Sequence, residues 1–189
     1  TYSGVPTPYA DPALGGFPLG WLRFADTTFV MSEPGGAMSW FPNNNHPTDK
    51  ATYTFNITVP EPYTVAATGL PVDEIDNGDT RTFVSEMTDP MASYLASISV
   101  GDFVRVDEAG LDGLLIRNYF PTDQAEALTE AFSPTSEMLA YFSELFGPYP
   151  FDVYGAVVVS IPFGVALENQ TLSIFAADSA EELTIAHEL

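Results

Sequence analysis

The sequence has no cysteine, very few basic residues and no long apolar run. Without cysteine, neither disulfides nor thiolate zinc ligands can form. Five lysines and arginines against 26 acidic residues leave a formal net charge of −21. This balance argues against nucleic acid as a partner, because binding to phosphates needs clustered cations. No stretch reaches about eighteen consecutive apolar residues, so we expect no membrane span.

The sequence also lacks an initiator methionine and a charged-then-apolar leader, since it opens on Thr1-Tyr2-Ser3. We therefore expect that a preceding segment is missing. The compartment stays undetermined, although strong acidity with few lysines slightly favours secretion or the cell surface over the cytoplasm. The 189 residues, 46% of them hydrophobic, are enough for one large or two small domains with a buried core.

The chain ends on His187-Glu188-Leu189. In the H-E-x-x-H motif of zinc proteases, two histidines one helical turn apart hold the metal and the glutamate activates a water. Only the first His and the Glu are present here. Ser179 and Glu182 form an S-x-x-E capping box, which predicts a helix that begins at Ser179 and carries both residues. Taken alone, a His and a Glu at a helix end are more simply explained as an ordinary helix terminus.

The first half of the sequence has the pattern of an antiparallel sheet. Residues 51–59 alternate strictly between apolar and polar side chains, which is typical of a strand with one wet face. Asn77-Gly78-Asp79 predicts a hairpin turn. Further short strands are predicted at residues 63–68, 81–87, 94–100 and 103–106.

The pattern changes to α+β after about residue 112. A helix is predicted to begin near Asp123, to kink or restart at Ser133-Pro134 and to end at Gly147-Pro148. Strands are predicted at residues 114–120, 154–161 and 171–175. We therefore predict two domains, 1–112 and 113–189.

A Glu-Asn pair, Glu168-Asn169, lies in the apolar stretch between the last two predicted strands. Burying a free carboxylate is costly, so such a pair should be either paired or functional. A simple turn or strand end is the plainer alternative.

This stretch and His187-Glu188 together resemble the zinc aminopeptidases of the membrane alanyl aminopeptidase (aminopeptidase N) family. The family's exopeptidase motif, Gly-Ala-Met-Glu-Asn, aligns with Val165-Ala166-Leu167-Glu168-Asn169. Other segments match in order along the chain, and they are residues 32–42, which begin Ser-Glu-Pro, then 45–53, 91–95, 100–103 and 146–151. The resemblance therefore covers most of the chain.

The resemblance implies an α+β fold, with a saddle-like antiparallel β domain in residues 1–112 and the start of a thermolysin-like catalytic domain in 113–189. It also implies one zinc ion as cofactor and peptides with a free N-terminus as substrates. By the same resemblance, His187 is a zinc ligand and Glu188 is the general base. Glu168 binds the substrate's α-ammonium group and Asn169 orients the chain beside it. The backbone of Gly164, Val165 and Ala166 pairs with the extended peptide.

Two positions depart from the family's motif, and several functional residues are absent. Val165 stands where the family has Gly, and Leu167 stands where it has Met. We expect the preceding Gly164 to take any left-handed conformation needed at the first of these positions. The second zinc His, the distal Glu ligand and the catalytic Tyr would all lie beyond Leu189. The chain is therefore expected to be an inactive internal fragment, truncated within the motif. A noncatalytic peptide-binding module and a family member with a non-peptide substrate, such as an epoxide, are the alternatives.

Overall fold

The computed structural model describes residues 1–161 and 164–189. Its strands and helices are, in chain order, β1 (Tyr9–Asp11), β2 (Phe17–Phe24), β3 (Thr27–Met31), β4 (Ala51–Pro60), β5 (Thr64–Ala67), β6 (Leu70–Asp76), β7 (Thr80–Met91), β8 (Ile98–Gly101), β9 (Phe103–Ala109), β10 (Leu115–Pro121), α1 (Ala125–Phe132), α2 (Thr135–Phe146), β11 (Val153–Val159), β12 (Ala166–Leu167), β13 (Ser173–Ala176) and α3 (Glu182–His187). Within these described ranges, no helix is both long and apolar enough to cross a membrane.

The strands form three sheets. The first sheet has the order β1-β2-β3-β8-β5 and the second has the order β4-β7-β6, and both are antiparallel. The third sheet, β12-β13-β11-β10-β9, has three parallel strands at its centre and an antiparallel strand at each edge. The predicted fold class is confirmed, since mostly antiparallel sheets are followed by an α+β segment.

Alternating side chains on the strands build the layers. On β3, Phe29 and Met31 pack against the third sheet, whereas Val30 packs against the second sheet. On β11, Val157 faces the first sheet and Val158 faces the helices. The first sheet is therefore covered on both faces, and the third sheet lies between the first sheet and the three helices.

Local sequence signals predicted several elements well. The alternating segment forms β4, and Asn77-Gly78-Asp79 makes the turn between β6 and β7, with Gly78 at φ +90°. The predicted break at Ser133-Pro134 separates α1 from α2, and α2 ends before Gly147 at φ +100°. A glycine in this position is a common helix stop because it carries no Cβ.

The predicted start of the last helix is wrong. Ser179 ends a short 3-10 turn, Ala177–Ser179, and Glu181 is extended at φ −113° and ψ 154°. The helix therefore begins at Glu182, and no side chain caps its first turn. A capping box needs its N-cap residue directly before the first helical residue, and the intervening turn prevents this.

The predicted domain boundary lies between β9 and β10. These two strands pair with each other along their whole length, from Phe103 opposite Pro121 to Ala109 opposite Leu115. The two segments on either side of residue 112 therefore share the third sheet.

Candidate active site

Helix α3 places His187 and Glu188 on different sides of its C-terminal end. Ile185 is fully buried against the third sheet, and Glu188, three residues later, lies on the same face with 7% of its surface exposed. His187 is the last helical residue and is exposed. The imidazole is therefore open to solvent while the neighbouring carboxyl group is buried.

A short chain of buried hydrogen bonds holds the backbone of Glu188. The Ser173 hydroxyl, on β13, donates to the Glu188 carbonyl oxygen at 2.9 Å. The Tyr154 hydroxyl, on β11, donates to the Ser173 oxygen at 3.3 Å. Two central strands of the third sheet thus fix the end of α3.

The Glu188 carboxyl group is suited to proton transfer. Its Oε2 atom is buried and has no hydrogen-bond partner in the described residues. Burial raises the pKa of Glu188, the charge of Glu168 raises it further, and His187 partly opposes both effects. A carboxyl group whose pKa moves towards neutrality is a better general base and acid than an ordinary exposed glutamate.

Strand β12 carries the exopeptidase-like segment at the edge of the third sheet. Ala166 and Leu167 pair with β13 on one side only, and the Ala176 N–H donates to the Val165 carbonyl oxygen at 2.8 Å. In the described part of the chain the outer edge of β12 is unpaired. This edge leaves backbone donors and acceptors available to an extended peptide, the kind of partner that the family resemblance implies for this segment.

Glu168 and Asn169 follow β12 but differ in burial. Glu168 is exposed, so its carboxylate carries no large burial cost, whereas Asn169 has only 5% of its surface exposed. The Asn169 side-chain nitrogen is buried without a hydrogen-bond partner in the described residues. It is therefore a free donor beside an exposed carboxylate.

Val165 does not take the left-handed conformation, and a Cβ added to Gly164 would meet the Ser179 oxygen at an ordinary 3.4 Å. Thr171, further along this segment, is left-handed, with φ +66°. The valine at position 165 is accommodated because it packs into the core between the first and third sheets.

Two further residues interact electrostatically with Glu168, and the sequence analysis gave neither a role. Glu33 follows β3 and Tyr94 lies in a 3-10 turn before β8, and both are half-buried. Burial raises the pKa of Glu33, and the charge of Glu168 adds to it. Burial also raises the pKa of Tyr94, with Glu33 and Glu168 as the neighbouring charges. Both residues lie in segments that carry the family resemblance, and this was the only sign in the sequence that they belong to the site.

The donors for zinc are incomplete among the described residues. These residues contain no group of three or more His, Cys, Asp or Glu side chains arranged to hold a metal ion. His187 supplies one imidazole of the kind that zinc binds, and Glu188, the next residue in the chain, is buried on another side of the helix end. The imidazole of His187 is a ligand type that suits zinc. The described residues therefore supply part of the set of ligands that a zinc site needs.

Curated relatives of this chain are aminopeptidases. Leucine aminopeptidase 2 of Aspergillus oryzae is 29% identical over 189 residues, which cover 90% of this chain and 30% of that protein. Aminopeptidase M1 of Arabidopsis thaliana is 30% identical over 142 residues, covering 74% of this chain and 16% of that protein. The chain thus spans less than a third of the length of these relatives. No family model matches the chain.

Solved structures agree with these relatives. An M1 zinc metallopeptidase from Deinococcus radiodurans, a mutant solved with a Tyr-Ser-Ala substrate, superposes with a TM-score of 0.85 at 30% identity. The match covers 98% of this chain and 44% of that one. A two-domain M1 zinc metallopeptidase bound to L-arginine gives a TM-score of 0.87 at 29% identity, with 43% of its length covered. The resemblance inferred from the motifs is confirmed, and the chain is a homologue of one segment of the M1 zinc metallopeptidases.

Proposed function

We propose that this chain forms part of the active site of a zinc-dependent aminopeptidase, which removes residues from the N-terminus of peptides. The observation that carries the proposal is that strand β13 holds both parts of the site. Ser173 at its start bonds to the end of α3, which carries Glu188, and its next two residues pair with β12, which leads into Glu168. Burial and then the charge of Glu168 raise the pKa of both Glu33 and Glu188. These carboxyl groups come from three separate elements and interact electrostatically with one another.

The substrate's α-ammonium group is the natural ligand for Glu168 and Glu33. Burial and the charge of Glu168 disfavour the ionised form of Glu33, and a cation that binds near both carboxylates offsets this cost. A peptide with a blocked N-terminus cannot supply that cation and is rejected. The buried Asn169 side chain orients the chain beside Glu168, and the outer edge of β12, with Gly164 to Ala166, pairs with the substrate backbone.

His187 and Glu188 supply the chemistry at the scissile bond. His187 holds the zinc ion, which when bound polarises the scissile carbonyl group and acidifies water. Glu188 accepts a proton from the attacking water and passes it to the nitrogen of the leaving peptide. A pKa raised by burial suits both transfers, because the same group must take and release the proton.

On this proposal the chain by itself does not hydrolyse peptides. A catalytic zinc site uses three protein ligands, and the described residues contain no such group. The second His and a distal carboxylate would be supplied from beyond Leu189. Amine recognition does not need the metal, so this part of the function should be present in the chain as it stands.

The proposal is tested by titrating the 189-residue chain with L-leucinamide and with its N-acetylated form, followed by NMR. We expect the free amine to bind and the acetylated form not to bind. Glu168→Gln should abolish the difference, whereas the matched control Glu130→Gln, an exposed glutamate on α1, should retain it. Equal binding of the two compounds to the unaltered chain would refute amine recognition.

Catalysis is tested on a longer protein that contains the chain and its continuation. An aminoacyl chromophore with a free amine should be cleaved, and a zinc chelator should stop the cleavage. If L-leucinamide binds to the chain but the longer protein cleaves nothing, the chain is part of a noncatalytic peptide-binding module.

A further inference from the structure

Arg117 is a buried cation that joins two sheets. It lies on β10 with none of its surface exposed, and its side chain points towards the first sheet. One guanidinium nitrogen donates to the carbonyl oxygens of Ala67 at 2.8 Å and Gly69 at 2.7 Å. The other donates to the carbonyl oxygens of Thr171 at 3.0 Å and Tyr154 at 3.3 Å. One side chain therefore ties the end of β5 to the third sheet.

Thr171 is the strained end of the turn that carries Glu168 and Asn169. Its φ of +66° is rare for a β-branched residue and costs about 1–3 kcal/mol. Two contacts hold it there. Its carbonyl oxygen accepts from Arg117, and its hydroxyl oxygen accepts from the Gly69 N–H at 2.9 Å. The turn itself is closed by a bond from the Leu172 N–H to the Asn169 carbonyl oxygen at 3.0 Å.

Residues 67–69 are also hydrogen-bonded to the segment that carries Tyr94. The Thr68 hydroxyl accepts from the Ser97 N–H at 2.9 Å, and the Thr68 N–H donates to the Ser97 carbonyl oxygen at 3.0 Å. Ser97 lies three residues after Tyr94. Strand β8, which follows, pairs with both β5 and β3, and Glu33 lies just beyond β3. Residues 67–69 are thus connected to both halves of the candidate site.

We propose that Arg117 and Thr171 are positioning residues, which set the separation between the Glu168-Asn169 turn and the Glu33 and Tyr94 side. The inference deepens the proposed function and rests on it. A buried charge and a strained backbone are both costly, and an apolar side chain would fill the same space at a smaller cost. The rigid, planar guanidinium group makes four hydrogen bonds, and these fix the distance between the first and third sheets. Apolar packing alone would leave this distance adjustable.

The test uses Thr171→Val, which removes the hydroxyl acceptor and keeps the shape, and Thr171→Ser, which restores the acceptor. Thr135→Val is the matched control, because the buried Thr135 hydroxyl donates to the Phe132 carbonyl oxygen among the helices. The pH titration of the Glu33 carboxyl group by NMR and the affinity for L-leucinamide are measured in each variant. Arg117→Lys, which cannot donate to both sheets in the same geometry, is measured alongside them.

We expect Thr171→Val to move the pKa of Glu33 towards its ordinary value, because Glu168 is no longer held near it. The affinity for L-leucinamide should fall by about tenfold, the loss typical for a residue that orients a ligand-binding group. Thr171→Ser and Thr135→Val should leave both values unchanged. Arg117→Lys should act like Thr171→Val, and if it does not fold, Thr171→Val decides the matter.

The proposal is overturned if Thr171→Val lowers the melting temperature as Thr135→Val does but leaves the Glu33 titration unchanged. Absence of L-leucinamide binding to the unaltered chain would instead refute the proposed function. The Glu33 titration needs no ligand, so it still decides whether Thr171 positions the turn.

Discussion

The hydroxyl group of Ser173 lies in the middle of a buried chain of hydrogen bonds, and its removal has a cost that can be worked out. Ser173→Ala leaves the Tyr154 hydroxyl without its acceptor and the Glu188 carbonyl oxygen without its side-chain donor. All three residues are buried. A buried polar group left unpaired costs about 1–3 kcal/mol, and the 3.3 Å bond is the weaker of the two. We therefore expect the free energy of unfolding to fall by about 2–4 kcal/mol.

Tyr154→Phe provides the comparison within the same chain of bonds. It removes one donor and leaves Ser173 still bonded to Glu188, so the loss should be about 1 kcal/mol. The double variant should lose less than the sum of the two, because no orphaned Tyr154 hydroxyl remains. Urea and thermal unfolding measure all three, and each kcal/mol corresponds to about 2–4 °C for a chain of this size. Equal losses for the two single variants, or strictly additive losses, would refute the reasoning.

Three further predictions concern charge, metal and backbone. Burial and the charge of Glu168 raise the pKa of Glu33 in the folded chain above its ordinary value of 4.5. The contribution of Glu33 to the free energy of unfolding is therefore fully present below pH 4.5, and it is lost as the pH rises through the pKa of the folded chain. Glu33→Gln should therefore stabilise the chain at neutral pH and not below pH 4.5, in melting curves at both values; an equal gain at both would contradict this. After exhaustive dialysis, elemental analysis should find well under one zinc ion per chain, because the described residues give His187 no partners for a zinc site. One tightly held zinc ion per chain would contradict this. Gly69 has a φ of +92° and lies against the backbone of β7, so Gly69→Ala should lower the free energy of unfolding by about 2 kcal/mol or more. Gly164→Ala should change it by less than about 1 kcal/mol. Thermal melts in which Gly164→Ala is the more damaging of the two would be inconsistent with the structure.

The elements predicted correctly from the sequence have causes that are local. Strict alternation in residues 51–59 follows from one face of β4 being buried, and that pattern is visible without the rest of the chain. Gly147 stops α2 because only glycine takes its conformation easily. The edge position of β12 is not local, and it came from the family resemblance rather than from the residues 166–167 alone.

The remaining features depend on residues far apart in the chain. Strands β2 and β3 were missed because their apolar residues do not alternate cleanly, and Gly20 has φ +88° within β2. The site roles of Glu33 and Tyr94 emerge only when the first sheet meets the turn after β12. Arg117 reads in the sequence as one more charged strand residue, and nothing nearby indicates that its partners are carbonyl oxygens on two sheets.

The hydrogen bond between the Gly69 N–H and the Thr171 hydroxyl connects residues 102 positions apart. Contacts of such separation close large loops, so they form slowly compared with the hairpin of β6 and β7. During folding the strained Thr171 turn has no support until residues 67–69 arrive beside it. The candidate active site should therefore be among the last regions to become protected from hydrogen exchange as the chain refolds.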